Sequence, residues 1–170
     1  MFIIILIVLV CLGLICYQDM KYRAVYWVCF PILSVLLFFL KKDHMEIIGV
    51  LTDVAIASLF FGTQLLLVWA YLSIKNKQLV NMTANYLGLG DILFLMAITF
   101  YLSPVNYILF YVGSLIVVLI YTLITRFFNK NTNHEIPLAG LQALMLGCLL
   151  VFSMLYPGLK LYSDSWIYGL

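Results

Sequence analysis

Six long apolar runs constrain the fold of this chain more than any other feature of its sequence. They cover residues 2–17, 24–40, 47–74, 88–102, 105–125 and 136–156. An α-helix needs about 20 residues to cross a hydrocarbon core about 30 Å thick. Because most of the runs reach or approach this length, the pattern predicts an all-α polytopic membrane protein with about six transmembrane helices.

The composition supports this class. Of the 170 residues, 66% are hydrophobic and only 9% are charged, whereas a soluble domain carries about 25% charged residues. The chain cannot cover a water-facing surface, so the lipid bilayer is its expected surrounding. The net charge is only +2 and the basic residues are scattered, which argues against a nucleic-acid partner. No linker separates the runs, so residues 1–170 are predicted to form one domain.

Neither a metal nor a cofactor is expected from the spacing of ligand-type residues. The four cysteines all lie in apolar stretches and form no C-x-x-C pair, which disfavours a zinc module. The histidines show no metal-ligand spacing with cysteine or aspartate. The cysteines are therefore interpreted as small buried apolar residues.

Lysine and arginine predict the orientation of the helices. The loops after the first, third and fifth runs hold six of these residues, and the opposite side holds three. The first set is Lys21, Arg23, Lys75, Lys77, Arg126 and Lys130, and the second is Lys41, Lys42 and Lys160. Because cytoplasmic loops carry an excess of lysine and arginine, the odd-numbered loops are predicted to be cytoplasmic and both chain termini external.

An aspartate behind two glycines opens the fourth run, in the sequence Gly88-Leu89-Gly90-Asp91. A carboxylate at the membrane edge is costly and is by default a functional candidate. Glycines remove side-chain bulk where another backbone can approach. The structural alternative is that Asp91 caps a helix and the glycines form its lead-in turn. The residues of this stretch leave both interpretations open.

The fourth run is also short. Asp91 to Leu102 covers 12 residues, which is about 18 Å of helix. Either this helix continues through Pro104 with a kink, or Asp91 lies below the membrane surface.

Asp19 closes the first run, on the same predicted membrane face as Asp91. Two carboxylates that share one proton can activate water for peptide hydrolysis, one as base and one as acid. The alternative is that Asp19 is an interfacial charge balanced by Lys21 and Arg23. Another aspartate, Asp53, lies near the outer end of the third run and is predicted to be an interfacial anchor.

The sixth run opens with Ile136, Pro137 and Gly140, also on the predicted cytoplasmic face. Proline is tolerated in the first turn of a helix, where its missing N–H costs nothing. The functional interpretation is that Pro137 and Gly140 shape a packing surface against the helices that carry the aspartates.

The order of these three motifs resembles that of the type IV prepilin peptidases, in their short form, which are membrane aspartic proteases of the GxGD class. The matching residues are Asp19, Lys21, Arg23, Gly88, Gly90, Asp91, Ile136, Pro137 and Gly140. The resemblance covers nearly the whole chain. It implies that Asp19 and Asp91 are the catalytic pair and that the other matching residues bind substrate or shape the site.

The resemblance further implies a substrate and a location. The substrate is a type IV prepilin-like precursor with a hydrophobic N-terminal helix, and its basic leader peptide is cleaved at the cytoplasmic face of the inner membrane. Longer members of the family also methylate the new N-terminus and carry a cytoplasmic cysteine-bearing insert. No such segment occurs in this sequence, so methylation is not implied.

The sequence departs from the family at two places. Ala24-Val25-Tyr26-Trp27 follows Arg23 where the family often has Ile-Pro-Asn, and Leu93 stands where it often has lysine. An inactive homologue acting as a membrane assembly factor is therefore one alternative function. A presenilin-like intramembrane protease is another, although Pro137-Leu138-Ala139 differs in order from its Pro-Ala-Leu motif. A transporter is disfavoured because the acidic residues lie near the ends of the runs.

Overall fold

Each predicted apolar run contains one helix. A computed structural model describes residues 2–78, 88–128, 137–156 and 158–164. Six α-helices lie within this part of the chain: α1 Phe2–Tyr22, α2 Cys29–Lys42, α3 Ile47–Asn76, α4 Leu89–Ile98, α5 Pro104–Phe128 and α6 Leu138–Leu155. The predicted all-α fold is confirmed.

The six helices differ in whether they are long enough to cross a membrane. Four of them, α1, α3, α5 and α6, are both long and apolar enough. By contrast, α2 has 14 residues and α4 has 10, or about 21 and 15 Å at the α-helical rise of about 1.5 Å per residue. The chain is thus a polytopic helical membrane protein in which two of the predicted spans are short helices.

The fourth helix ends well before Pro104. The backbone N–H groups of Thr99, Phe100 and Tyr101 each bond to the carbonyl three residues earlier, which tightens the last turn into 3₁₀ geometry. Pro104 then begins α5, in the first helical position where a missing N–H is tolerated. The predicted alternative of one kinked helix continuing through Pro104 is therefore wrong.

The short helix α4 packs among longer neighbours. It contacts α2, α3 and α6, while α1 packs against α2 and α6. Phe94, Leu95, Ala97 and Ile98 of α4 are all buried in the apolar core. This packing brings the C-terminal end of α1 and the N-terminal ends of α4 and α6 together at one end of the bundle.

The opposite end is held by a buried ion pair. The Nζ atom of Lys41 lies 2.7 Å from Oδ2 of Asp53, and the lysine side chain is completely buried. Lys41 also donates a hydrogen bond to the carbonyl of Leu102, at 3.2 Å. Asp53 is therefore not a simple interfacial anchor as predicted, because it neutralises a buried lysine and links α3 to α2.

The segment after α6 is attached to the same end. The backbone N–H of Ser103 bonds to the carbonyl of Leu161 at 3.1 Å, and the Ser103 hydroxyl donates to the carboxylate of Asp164. The side-chain amide of Asn106 donates to the carbonyls of residues 160, 161 and 163. These bonds fix the chain beyond α6 against the start of α5.

Candidate active site

Asp19 lies on the buried face of α1. The helix continues past the apolar run to Tyr22, so Asp19 lies within its last turn. Val8, Leu12 and Ile15 precede Asp19 at helical spacing and are also buried, which is the pattern of one inward-facing stripe. Asp19 is only 8% exposed. The alternative of an interfacial charge does not fit this burial.

The two basic residues after Asp19 are placed differently. Lys21 is exposed, donates a hydrogen bond of 2.7 Å to the Tyr17 hydroxyl, and lies about 5 Å from the rings of Tyr17 and Tyr22. Arg23 is close enough to Asp19 to interact with its carboxylate electrostatically. Of these two basic residues, Arg23 interacts with the buried carboxylate, while Lys21 lies on the surface of α1.

Asp91 is the third residue of α4, and Gly88 is the N-cap. The backbone N–H of Asp91 bonds to the Gly88 carbonyl at 3.1 Å, and the backbone N–H of Gly88 donates to the Asp91 carboxylate. The second of these bonds corresponds to one half of a capping box, in which the side chain of the third residue binds the N-cap N–H; glycine has no side chain to supply the other half. Asp91 thus helps to cap the helix without being its N-cap residue.

The two glycines of this motif meet different constraints. A Cβ atom at Gly88 would lie 2.9 Å from Oδ2 of Asp91, whereas one at Gly90 would lie 3.7 Å from the Phe30 ring, an ordinary contact. Of these two positions, the Asp91 carboxylate therefore excludes a side chain only at Gly88.

The first turn of α6 binds both carboxylates. The backbone N–H of Ala139 donates to Oδ1 of Asp91 at 2.8 Å, and that of Gly140 donates to Oδ2 of Asp19 at 2.6 Å. The first N–H groups of a helix have no partner within it, and Pro137, the N-cap residue, provides no side-chain bond. The two carboxylates satisfy these free donors.

Bonding to consecutive amides brings the carboxylates close to each other. Three backbone bonds separate the two amide nitrogens. The lengths of these bonds and of the two hydrogen bonds together limit the distance between the bonded carboxylate oxygens to less than about 10 Å. The Asp19 and Asp91 carboxylates also interact electrostatically. Residues from all three sequence motifs thus meet at one site, although Ile136 lies outside the described residues.

Gly140 allows α6 to approach α1. A Cβ atom at this position would lie 3.1 Å from both Cβ and Oδ2 of Asp19, and 3.4 Å from the Cys16 carbonyl oxygen. A larger residue would push the helix away from the carboxylate that it binds. The absence of a side chain at position 140 therefore lets the Gly140 amide reach the Asp19 carboxylate.

Sequence reasoning did not identify two polar contacts that α6 makes. Ala139 contributes through its backbone, so its only signal was its place within the proline motif, between Pro137 and Gly140. Gln142 is completely buried, and its amide donates to the Ser114 hydroxyl on α5 at 3.1 Å. Its signal was a polar residue within an apolar run, which in membrane proteins marks helix contacts.

The fold defines a polytopic helical membrane protein, and the site consists of two aspartates held at the start of one helix. Among the described residues, no three His, Cys, Asp or Glu side chains are grouped so that they can hold a metal ion. Comparison with protein-family models, curated proteins and solved structures finds no match to this chain.

Proposed function

We propose that this protein is a membrane aspartic endopeptidase that removes leader peptides from type IV prepilin-like precursors at the cytoplasmic face of the inner membrane. One observation carries the proposal: Asp19 and Asp91, far apart in sequence, accept hydrogen bonds from consecutive amides of α6. The substrate class is inferred from the order of the three sequence motifs.

The pair of carboxylates supplies the acid and the base that peptide hydrolysis needs. Two close carboxylates in a partly desolvated site do not both ionise readily, so the working pair holds one proton. The ionised aspartate takes a proton from water while the protonated one donates a hydrogen bond to the scissile carbonyl. The water oxygen bonds to the carbonyl carbon, the C–N bond breaks, and the leaving nitrogen receives a proton.

The start of α6 orients the pair during this reaction. The amides of Ala139 and Gly140 are fixed in a helix, so each holds one carboxylate oxygen in a set direction. The positive end of the helix dipole also stabilises the single negative charge of the pair. Neither effect uses a titrating group, so α6 positions the aspartates without exchanging protons.

The test is co-expression with each type IV prepilin-like precursor from the same cell, with loss of the leader measured by mass spectrometry. Asp19→Asn and Asp91→Asn keep the side-chain size but remove the acid–base function. Each is expected to lower cleavage by about 100-fold or more, the lower end of the contribution of a positioned acid or base.

Asp43→Asn is the matched control. Asp43 is exposed at the end of α2 and belongs to no motif, so its variant is expected to cleave like the wild type. Cleavage near the wild-type rate by either Asn variant at position 19 or 91 contradicts the proposal. If the wild type cleaves none of the precursors, the assembly-factor alternative replaces it.

A further inference from the structure

A large apolar groove runs between α1 and α6, beside the candidate site. Its volume is about 920 Å³, and all of its lining residues belong to these two helices. We call it the α1–α6 groove; its lining residues include Gly13, Cys16, Met20, Lys21, Leu144 and Gly147. Its extent along α1, from Leu9 to Lys21, corresponds to about 18 Å of helix.

The groove leads to the aspartates. Cys16 and Met20 line it, and they flank Asp19 on α1. The Cys16 carbonyl lies against Gly140, whose amide binds Asp19. The groove therefore passes within about one helical turn of Asp19 along α1.

The shape and the apolar lining of the groove favour a transmembrane helix as its occupant. A Cβ atom at Gly13 would meet nothing within 4 Å, and one at Gly147 would approach no closer than 3.9 Å. Such open space over small residues lets the backbone of another helix approach closely in a membrane. Among the lining residues only Lys21 is charged, and it lies at the aspartate end. The rest of the lining is uncharged, which matches an apolar helix.

We propose that the α1–α6 groove binds the apolar helix of the precursor, so that the segment preceding this helix reaches Asp19 and Asp91. The inference rests on the proposed function and adds to it the surface that selects a membrane-inserted substrate. The groove orients the substrate along α1 and α6, and the start of α6 presents the reacting carboxylates at its end.

Photo-crosslinking tests the occupant directly. Benzoylphenylalanine replaces Leu144 in the groove, or Leu59 on α3 as a control; these leucines are 52% and 70% exposed. An Asp91→Asn background retains uncleaved precursor, and each type IV prepilin-like precursor of the same cell is co-expressed. A precursor adduct is expected from position 144 and not from position 59. Equal adducts at both positions, adducts with lipid alone, or no adduct at position 144 overturn the proposal.

Comparing the cleavage of two substrates distinguishes the effect of the groove from that of the catalytic pair. Gly13→Leu fills the groove, and Gly62→Leu makes the same change at an open position on α3, where a Cβ atom also meets nothing within 4 Å. The ratio of full-precursor cleavage to cleavage of a short leader peptide without the apolar helix is measured. Gly13→Leu is expected to lower this ratio by about tenfold or more, the effect of losing roughly 1.4 kcal/mol of binding.

The two proposals fail in different ways. An unchanged ratio in Gly13→Leu, or an equal fall in Gly62→Leu, overturns the groove proposal and leaves the peptidase intact. A wild type that cleaves nothing overturns the peptidase, while the crosslinks at positions 144 and 59 still decide whether the groove binds the precursor helix.

Discussion

Asp19 and Asp91 are positioned by backbone groups, which has consequences for the residues around them. The donors are the amides of Ala139 and Gly140, and they are free because the first N–H groups of a helix lack partners. The amide at position 139 does not depend on the side chain, although Ala139 is itself buried in the core. Position 140 also requires a small residue, because a Cβ atom there would crowd Asp19.

Gly140→Ala is expected to destabilise the contact between α1 and α6. The added Cβ would lie 3.1 Å from Cβ of Asp19, which is fixed to a packed helix. Overpacking of this kind costs about 1–3 kcal/mol. The measurement is the thermal midpoint of the purified protein in detergent, which should fall.

Gly147→Ala is the stability control for this change. It lies on the same helix, and its Cβ atom would have no neighbour closer than 3.9 Å. Alanine is a better helix former than glycine by roughly 0.5–1 kcal/mol, so this variant should be at least as stable as the wild type. Equal midpoints for the two variants would show that Gly140 is not under steric constraint.

The pH dependence of cleavage should be bell-shaped. At low pH both aspartates are protonated and no base is present; as pH rises, the first proton is lost and the rate increases. At higher pH the second proton is lost, the acid disappears and the rate falls. The two apparent pKa values belong to the pair and not to either residue. The measurement is the initial rate against pH, and a rate that stays at its plateau well above neutral pH would argue for a single working carboxylate.

At the scale of elements, the length of α4 bears on the predicted depth of the candidate site. This helix of 10 residues is about 15 Å long, and the turn after it reaches Lys41 through the Leu102 carbonyl. The hydrocarbon core is about twice as thick, at about 30 Å. The kinked continuation through Pro104 is wrong, and the position of Asp91 below the membrane surface stays a prediction.

The Lys41–Asp53 pair should be important for stability although it lies away from the candidate site. Asp53→Asn leaves the completely buried Lys41 without its partner at 2.7 Å. Removing one partner of a buried ion pair costs about 3–5 kcal/mol, and because Asp53 is 19% exposed we expect the lower end of that range. The measurement is the unfolding midpoint in detergent, with Asp43→Asn as the exposed control.

The double variant Lys41→Met, Asp53→Leu extends the same test. Apolar residues of similar size in place of a buried pair are often neutral or stabilising, so the double variant should recover much of the loss. An Asp53→Asn protein as stable as the control would show that water or lipid headgroups already compensate Lys41.

For the whole molecule, the packing bears on how the charge count is interpreted. Lys41 entered that count as a residue of the outer side, yet it is buried and paired with Asp53. Without Lys41, the outer side retains Lys42 and Lys160, against six lysines and arginines in the odd-numbered loops. The predicted asymmetry therefore becomes larger.

We predict accordingly that the end of the bundle holding Asp19 and Asp91 faces the cytoplasm. Single cysteines placed at exposed positions 43 and 77 report on opposite ends. In intact cells, a membrane-impermeant maleimide should label the cysteine at 43, and the one at 77 only after permeabilisation. The reverse pattern would invert the topology and place the aspartates outside.

The sequence alone determined the helical elements and predicted that the motifs lie on one face of the membrane. Apolar runs of this length have only one low-energy form in a membrane, the helix, because its backbone bonds are local. The motif residues Asp19, Asp91 and Pro137 each stand at an end of such a run, and alternating helix direction then assigns them to one face. These conclusions need no knowledge of which helices touch.

Only the tertiary structure decided which residues meet. The bonds from the Ala139 and Gly140 amides depend on backbone atoms, so no pattern of side chains predicts them. The partner of Asp53 is a lysine on another helix, and its burial results from packing. The lengths of α2 and α4 likewise follow from turns and contacts rather than from hydrophobicity. Periodicity in sequence encodes local structure, whereas contacts between distant residues arise only when the helices pack.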